Sequence, residues 1–312
     1  MESHGVDSPR PCAELLLTAV IGCDRMRLYM EPERVASDQE RETLRDWVSR
    51  AAAHEPVQYL VGEAWFHGRL YEVDRSTLIP RPATEVLVDQ SVAAVRDLDG
   101  PNILEIGTGT GCVITSILDA LDRPNRAASR RKAAAIADGL VFESESKDED
   151  SEETTTEEEP EFNPATAVAI ELVEEAVELA RRNIDRHGFA ERVDIKQGSL
   201  FEPLTAADRG RFDLLVANPP YVSDSEWERC EPNVRDYEPE SALRAGADGL
   251  AIIKPLVEGA VKAVRSGGVV AIEIQYDQGP AVAALFQSAG LTDVEVHKDL
   301  EDHDRVVVGR RP

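Results

Sequence analysis

Apolar residues recur along this chain in three successive rhythms. Between residues 12 and 54, Ala13, Leu15, Leu16, Leu17, Val20 and Ile21 give one helical face, and Leu44, Trp47 and Val48 give a second. Ser37 with Glu40 three residues on has the spacing of a capping box, which predicts the start of that second helix. From Tyr59 the period shortens: Tyr59, Val61, Trp65, Phe66, Leu70, Tyr71 and Val73 predict a β-hairpin turning at Gly68. A proline-stiffened link, TLIPRPATE, then leads into a helix from about Thr84. From Asn102 onward short apolar runs alternate with helical stretches, with strands expected at NILEIG, TAVAIE, VDIKQG, FDLLVAN, GGVVAIEI, DVEVHKD and RVVVGR. Helices lie between them, including LVEEAVELARRNIDRHG, where Gly188 supplies a stop. This alternation predicts an α/β domain whose mainly parallel sheet is covered on both faces. The last two strands adjoin without a helix, so the sheet should end in an antiparallel hairpin.

One stretch breaks the rhythm. Residues 123–164, roughly, separate the first helix of the sheet domain from its second strand, where ordinary connections take about 2–6 residues. The stretch starts basic (RAASRRK), turns strongly acidic and has almost no aromatics, so it is expected to be a disordered surface insertion. Its acidic part, residues 141–163, holds eleven acids and one lysine, and so supplies ten of the 26 net negative charges. The rest of the chain is still acidic, which disfavours nonspecific binding to nucleic acid phosphates. Cys12, Cys23, Cys112 and Cys230 form no CxxC pair, and the six histidines show no ligand spacing. Neither a disulfide framework nor a metal site is expected. With no signal peptide pattern and no apolar run of membrane-spanning length, a cytoplasmic protein that does not engage a membrane is expected.

Two places carry candidate chemistry. NILEIGTGTGCVITSIL reads as strand, glycine turn and helix, and Gly107, Gly109 and Gly111 let backbone approach a ligand where a Cβ would clash. A dinucleotide fingerprint needs its third glycine one residue later, where Cys112 stands, which argues for a ligand without a pyrophosphate. Glu171 ends the next strand, where its carboxylate can accept from both ribose hydroxyls. Glu105 precedes the glycines and would welcome a cation, and S-adenosylmethionine carries a sulfonium and an ammonium. Ser199 and Leu200, at a third strand end, are expected near the adenine.

The second place is FDLLVANPPYVSD. A buried strand must stop at Asn218, because the prolines after it cannot donate to a ladder. The Asn218 carbonyl and the Pro219 carbonyl, held close together, can grip both hydrogens of an amine or amide, and Tyr221 offers a face to a planar substrate. Gripping those hydrogens turns a delocalised nitrogen towards a methyl donor, so catalysis comes from positioning and polar stabilisation. Cys112 reads as a small helix residue, Glu273 as structural, and Arg81 either as a pocket-shaping residue or as one half of a surface ion pair.

ILEIGTGTG with NPPY resembles the class I S-adenosylmethionine-dependent methyltransferases that act on a planar nitrogen. EPVQYLVGEAWFHG, TLIPRPATEVLVDQ, VRDYEPESALRAGADGL, AIEIQYDQG and DHDRVVVGR narrow the resemblance to the release-factor glutamine N5-methyltransferase (HemK-like) family. The likeness runs from about residue 9 to the C-terminus, interrupted by the acidic insertion. It implies a Rossmann-like seven-stranded class I methyltransferase sheet within residues 84–312. A helical substrate-recognition domain over 1–56 and a connecting β-hairpin and linker over 57–83 would precede it. It also implies cofactor contacts from Gly107, Thr108, Gly109, Thr110, Gly111, Glu171 and Leu200, with Asn218 between cofactor and substrate. Asn218, Pro219, Pro220 and Tyr221 would hold the glutamine of the Gly-Gly-Gln loop in peptide chain release factors. The family usually has Asp at Glu171, and often an acid at Ser199 and an aromatic at Leu200, which leaves the adenine contacts open. The N-terminal helical region is also about one helix shorter than the family pattern. A monomer acting on release factors without direct nucleic acid contact is expected. Ribosomal-protein glutamines, nucleic-acid amines and a non-catalytic cofactor-binding module remain open as alternatives.

Overall fold

The computed structural model describes residues 8–123 and 163–312. The acidic stretch expected to be a disordered insertion falls, apart from its ends, on residues outside the described ones.

Among the described residues four helices come first: α1 (Pro9–Ile21), α2 (Arg25–Met30), α3 (Asp38–Ala52) and α4 (Val57–Val61). The capping box at α3 forms as expected: the Glu40 N–H donates to Ser37 Oγ at 3.2 Å and the Ser37 N–H to Glu40 Oε2 at 2.7 Å. Leu16, Ala51, Val57 and Leu60 close a small core between α1, α3 and α4.

The hairpin follows as β1 (Glu63–Phe66) and β2 (Arg69–Glu72). His67 and Gly68 form its turn with φ of 48° and 75°, the pair of left-handed residues that a two-residue turn requires. Tyr59 and Val61, expected in the first strand, lie on α4 instead. Pro56 caps that helix, and five residues are too few for a 3.6-residue period to show against an alternation. Tyr59 packs against Ala64, Val73 and Ile79, and its hydroxyl donates to the Thr77 carbonyl at 2.6 Å.

A 3₁₀ turn (Pro82–Thr84) leads into α5 (Glu85–Val95). The sheet domain then runs β3 (Asn102–Ile106), α6 (112–123), β4 (Thr166–Glu171), α7 (Glu174–Arg186), β5 (Val193–Gln197) and β6 (Phe212–Ala217). Two short helices, α8 (Asp224–Trp227) and α9 (Pro232–Arg235), precede α10 (Ile253–Ala263), β7 (Val264–Glu273), α11 (Gly279–Ser288), β8 (Thr292–Lys298) and β9 (Asp304–Arg310). All seven expected strands join one sheet in the order β5-β4-β3-β6-β7-β9-β8. Its first five strands are parallel, and β9 pairs antiparallel with both β7 and β8, as the missing helix between the last two implied. β7 begins earlier than expected, at Val264, and its register with β6 shifts between Phe212 and Leu214. Leu87, Ile114 and Ala180, from α5, α6 and α7, pack on one face of the sheet; Ile253, Leu256, Val282 and Phe286, from α10 and α11, pack on the other.

The hairpin is pinned to α6 and α7 by polar contacts between residues 50 to 118 positions apart. Arg69 pairs with Asp119 and donates to His187 Nδ1 at 3.2 Å; His187 Nε2 lies 3.1 Å from the Leu70 carbonyl. Arginine has no acceptor, so Nδ1 accepts and Nε2 carries the proton, which makes His187 neutral in this arrangement. Burial first, then the Arg69 and Arg186 charges, hold its pKa below the usual histidine range. The unfolded chain therefore takes up this proton before the native one does, so the contribution of His187 to stability is full above the ordinary histidine range and is lost as pH falls through it. Urea midpoints of wild type and His187→Gln, measured across mildly acidic to neutral pH, should diverge as pH rises. The difference isolates the residue, because the buried acids Glu105 and Glu273, with raised pKa values, act in the opposite direction. Parallel curves for the two proteins would remove His187 as a titrating support of the hairpin.

Candidate active site

The chain leaves β3 towards β4 on one side, while β6 lies on the other, so the sheet reverses its winding between β3 and β6. Ligands of open α/β sheets bind outside the carboxyl ends of strands at such a point. The glycine loop follows β3 and the Asn-Pro-Pro-Tyr segment follows β6. The two are in near contact, since a Cβ added to Gly107 would lie 3.9 Å from the Asn218 backbone oxygen.

Gly107, Gly109 and Gly111 take φ of 75°, 53° and 77°, in the left-handed region that disfavours any side chain. At Gly111 a Cβ would also meet Ile184 at 3.2 Å, so this glycine brings α6 against α7 and does not line the cavity described below. The Glu171 carboxylate ties the loop to β4: Oε2 accepts from the Gly109 N–H at 2.9 Å, and Oε1 from those of Leu172 and Val173 at 2.8 and 3.1 Å. A carboxylate offers about four acceptor positions. Three are in use, so gripping two hydroxyls requires one backbone donor to yield.

Glu105, the penultimate residue of β3, is 2 % exposed. Burial pushes its carboxyl up to about 8 and the nearby Glu171 charge adds to this, against the Thr108 hydroxyl and the Ile114 N–H, which favour the charged form. Thr108 donates to Glu105 Oε2. No basic side chain pairs with Glu105 among the described residues.

One cavity brings together Glu105, the loop from Gly107 to Thr110, Glu171, Ser199, Leu200 and Asn218 to Pro220. The strand-end positions singled out in the sequence thus share one space. Tyr221 is not in its lining: the ring packs with the α10 side of the core, and its hydroxyl lies 3.4 Å from Glu273 Oε1. Burial raises the Tyr221 phenol well above its usual range. Asn218 Nδ2 donates to Thr84 Oγ1 at 3.2 Å.

Sequence reasoning missed most of the opposite wall. Ser76, Thr77, Leu78, Pro80, Arg81 and Thr84 line it, and Leu172, 57 % exposed, stands at the β4 end. Arg81 pairs with Glu238, whose other oxygen accepts from the Ile79 N–H at 3.2 Å. Arg81 thus both lines the cavity and forms one half of an ion pair, whose other half is buried and not on the surface. The two halves lie 157 residues apart, and no local spacing joins them. The Glu238 side chain is fully buried and burial raises its pKa against the pull of Arg81, whose side chain keeps 35 % exposure. Arg81→Ala should therefore cost about 2–3 kcal/mol of unfolding free energy, below a wholly buried pair because Arg81 is partly solvated. Adding Glu238→Gln should recover part of the loss, since the cost is a stranded carboxylate. Denaturant titration of the single and double variants checks this, and a double variant less stable than Arg81→Ala would contradict it.

Known sequence families and structures match this arrangement. Residues 1–62 match the PrmC N-terminal domain, and residues 108–229 match the RMKL-like methyltransferase domain. A protein of Geobacter sulfurreducens named release factor glutamine methyltransferase is 34% identical over 310 residues, covering 99% of this chain and 92% of that protein. One of the same name from Caulobacter vibrioides is 32% identical over 309 residues, with the same coverage of 99% and 92%. The catalytic domain of hMettl16 superimposes with a TM-score of 0.51 at 12% identity, covering 77% of this chain and 74% of that one, a likeness of fold alone. The sheet is that of a class I methyltransferase, and by near-complete alignment with these relatives the chain belongs to the release factor glutamine methyltransferase family.

Proposed function

We propose that the protein moves a methyl group from S-adenosylmethionine to the side-chain amide nitrogen of the glutamine in the Gly-Gly-Gln loop of peptide chain release factors. The observation that carries this reading is the near contact of Gly107 with the Asn218 backbone, which sets a cofactor loop beside an amide-gripping turn. The relatives' shared name supplies the substrate class. We assign recognition of the protein substrate to the helical region over residues 1–56.

The residues suit such a cofactor. A buried carboxyl without a basic partner among the described residues fits a cationic ligand, a glycine loop admits close backbone approach, and a mostly apolar pocket continues to Leu200. When bound, S-adenosylmethionine supplies an electrophilic methyl group on a positively charged sulfur. Asn218 Oδ1 and the Pro219 carbonyl accept the two amide hydrogens and turn the nitrogen lone pair out of conjugation. The walls from Ser76 to Thr84 and from Asn218 to Pro220 exclude water while this happens. Tyr221 supports the turn from behind. No strong base is required, since positioning and polar stabilisation lower the barrier. As the nitrogen–methyl bond forms, the sulfur–methyl bond would break to leave a neutral thioether. The methylated nitrogen, acidic while it keeps both hydrogens, would lose one as a proton to solvent.

Two measurements test the proposal. With its carboxyl near 8, Glu105 is mostly protonated at neutral pH, and a cation beside it lowers that value. Binding of S-adenosylmethionine should therefore release protons, seen in calorimetry as an enthalpy that changes with the buffer's ionisation enthalpy. Glu105→Gln should abolish that dependence, and an unchanged dependence would place the cation elsewhere. Peptide mass spectrometry of a release factor incubated with enzyme and cofactor should locate the methyl on the Gly-Gly-Gln glutamine. Asn218→Ala should keep cofactor affinity and lose at least tenfold in turnover. A methyl on any other residue would sink the substrate assignment.

A further inference from the structure

Resting on that reading of the site, we infer that Thr84 and Glu273 are positioning residues that decide which end of the Asn218 amide meets the substrate. The three residues come from separate elements: Thr84 closes the 3₁₀ turn before α5, Asn218 follows β6, and Glu273 is the last residue of β7. The pairing of Ala217 with Ile272 sets Asn218 and Glu273 one step beyond the end of the same ladder. Thr84 is 3 % exposed and Glu273 1 %. Asn218 Nδ2 donates to Thr84 Oγ1 at 3.2 Å. The Thr84 side chain in turn stabilises the charged Glu273 carboxyl, and the Tyr221 hydroxyl reaches Glu273 Oε1 at 3.4 Å. Glu273 Oε2 is buried and has no hydrogen-bond partner among the described residues, so it is an acceptor open to the Thr84 proton.

The direction follows from counting protons. An ionised carboxylate only accepts, and a threonine hydroxyl has one proton to give. If Thr84 gives its proton to Glu273, its oxygen can only accept from Asn218. That holds Nδ2 towards Thr84 and leaves Oδ1, the acceptor that an –NH2 group requires, for the substrate. A protonated Glu273 reverses the relay. It gives its proton to Thr84, Thr84 gives its own to Asn218 Oδ1, and the amide turns a donor towards another donor. Burial raises the Glu273 carboxyl to about 7, against Thr84, Tyr221 and Arg305, which favour its charge. Arg305, from β9, is itself bound to Asp299 Oδ2 at 3.0 Å, and the buried Cys112 thiol at the start of α6 also senses Glu273. The sign is therefore that acid favours the wrong amide orientation.

The test uses the full chain as wild type, Thr84→Val, Thr84→Ser and Glu273→Gln, with release factor and S-adenosylmethionine. Thr84→Val should lower kcat at least tenfold while KM for release factor and the cofactor affinity change less than threefold. Thr84→Ser, which keeps the hydroxyl, should stay within threefold of the wild-type kcat. Wild-type kcat should fall on the acid side of neutrality, and Glu273→Gln should be slow without that fall. A Thr84→Val enzyme with wild-type kcat, a Thr84→Ser enzyme as slow as the valine, or a Glu273→Gln enzyme retaining the acid fall would each overturn the inference. An independent reading comes from NMR of the Asn218 side-chain N–H₂ pair, whose hydrogen-bonded shift should be present in wild type and Thr84→Ser and absent in Glu273→Gln. If wild type leaves release factor unmethylated, the proposed function fails while the NMR comparison still decides this point.

Discussion

The parallel pairing of β3 with β6 is the constraint on which the site depends. Ile106 and Ala217 end the ladder opposite each other, so the next residues on each strand, Gly107 and Asn218, emerge together. The apolar side chains of both strands are committed to the core on the two faces, and Glu105, near the end of β3, reaches the cavity. Chemistry is possible only where the ladder stops and backbone groups lose their partners. The left-handed glycines and the prolines both act there, the former by clearing space beside the backbone and the latter by stopping the strand.

Four carboxyls gather around this edge, and each is held in a different way. Glu171 is satisfied by three backbone N–H groups and so organises the loop. Glu238 is buried against Arg81 and joins the linker to the segment after α9. Glu105 and Glu273 are buried without a salt bridge among the described residues, and desolvation raises both towards neutrality, to about 8 and about 7. Of the two, Glu105 lines the pocket, where such an acid favours a ligand that brings positive charge, while acids kept partly neutral can act as proton donors as well as acceptors.

Long-range polar contacts hold the walls to this edge. Asn183 on α7 shows the pattern: its Oδ1 accepts from the Glu72 N–H at 2.8 Å, and its Nδ2 donates to the carbonyls of Glu72 and Thr110 at 2.9 Å each. One buried amide thus links the hairpin, the glycine loop and α7. Tyr237 continues the pattern at the helical end, where its hydroxyl donates to the Ala53 carbonyl at 2.8 Å and its ring lies 5.2 Å from the Arg75 guanidinium. Helices α1 to α4, the hairpin and the cavity wall are therefore coupled mechanically through a few side chains.

Much of this was legible in the chain itself. The strands, the capping box at Ser37, the turn at Gly68 and the helix stop at Gly188 follow from residue-by-residue sterics and hydrogen bonding, which are local. Gly107 to Gly111, Glu171 and Asn218 to Pro220 stood out because strand ends in α/β sheets are visible as breaks in apolar runs. Where the local signal was short it misled, as at Tyr59 and Val61, whose alternation belongs to a five-residue helix. What sequence alone left undecided is what joins distant segments: the placing of β6 beside β3, the pairing of Arg81 with Glu238, and the contact of Asn218 with Thr84 across 134 residues. Side-chain spacing along a chain records the geometry of one element. The distance between elements is set by sheet order and packing, which exist only once the whole domain has closed.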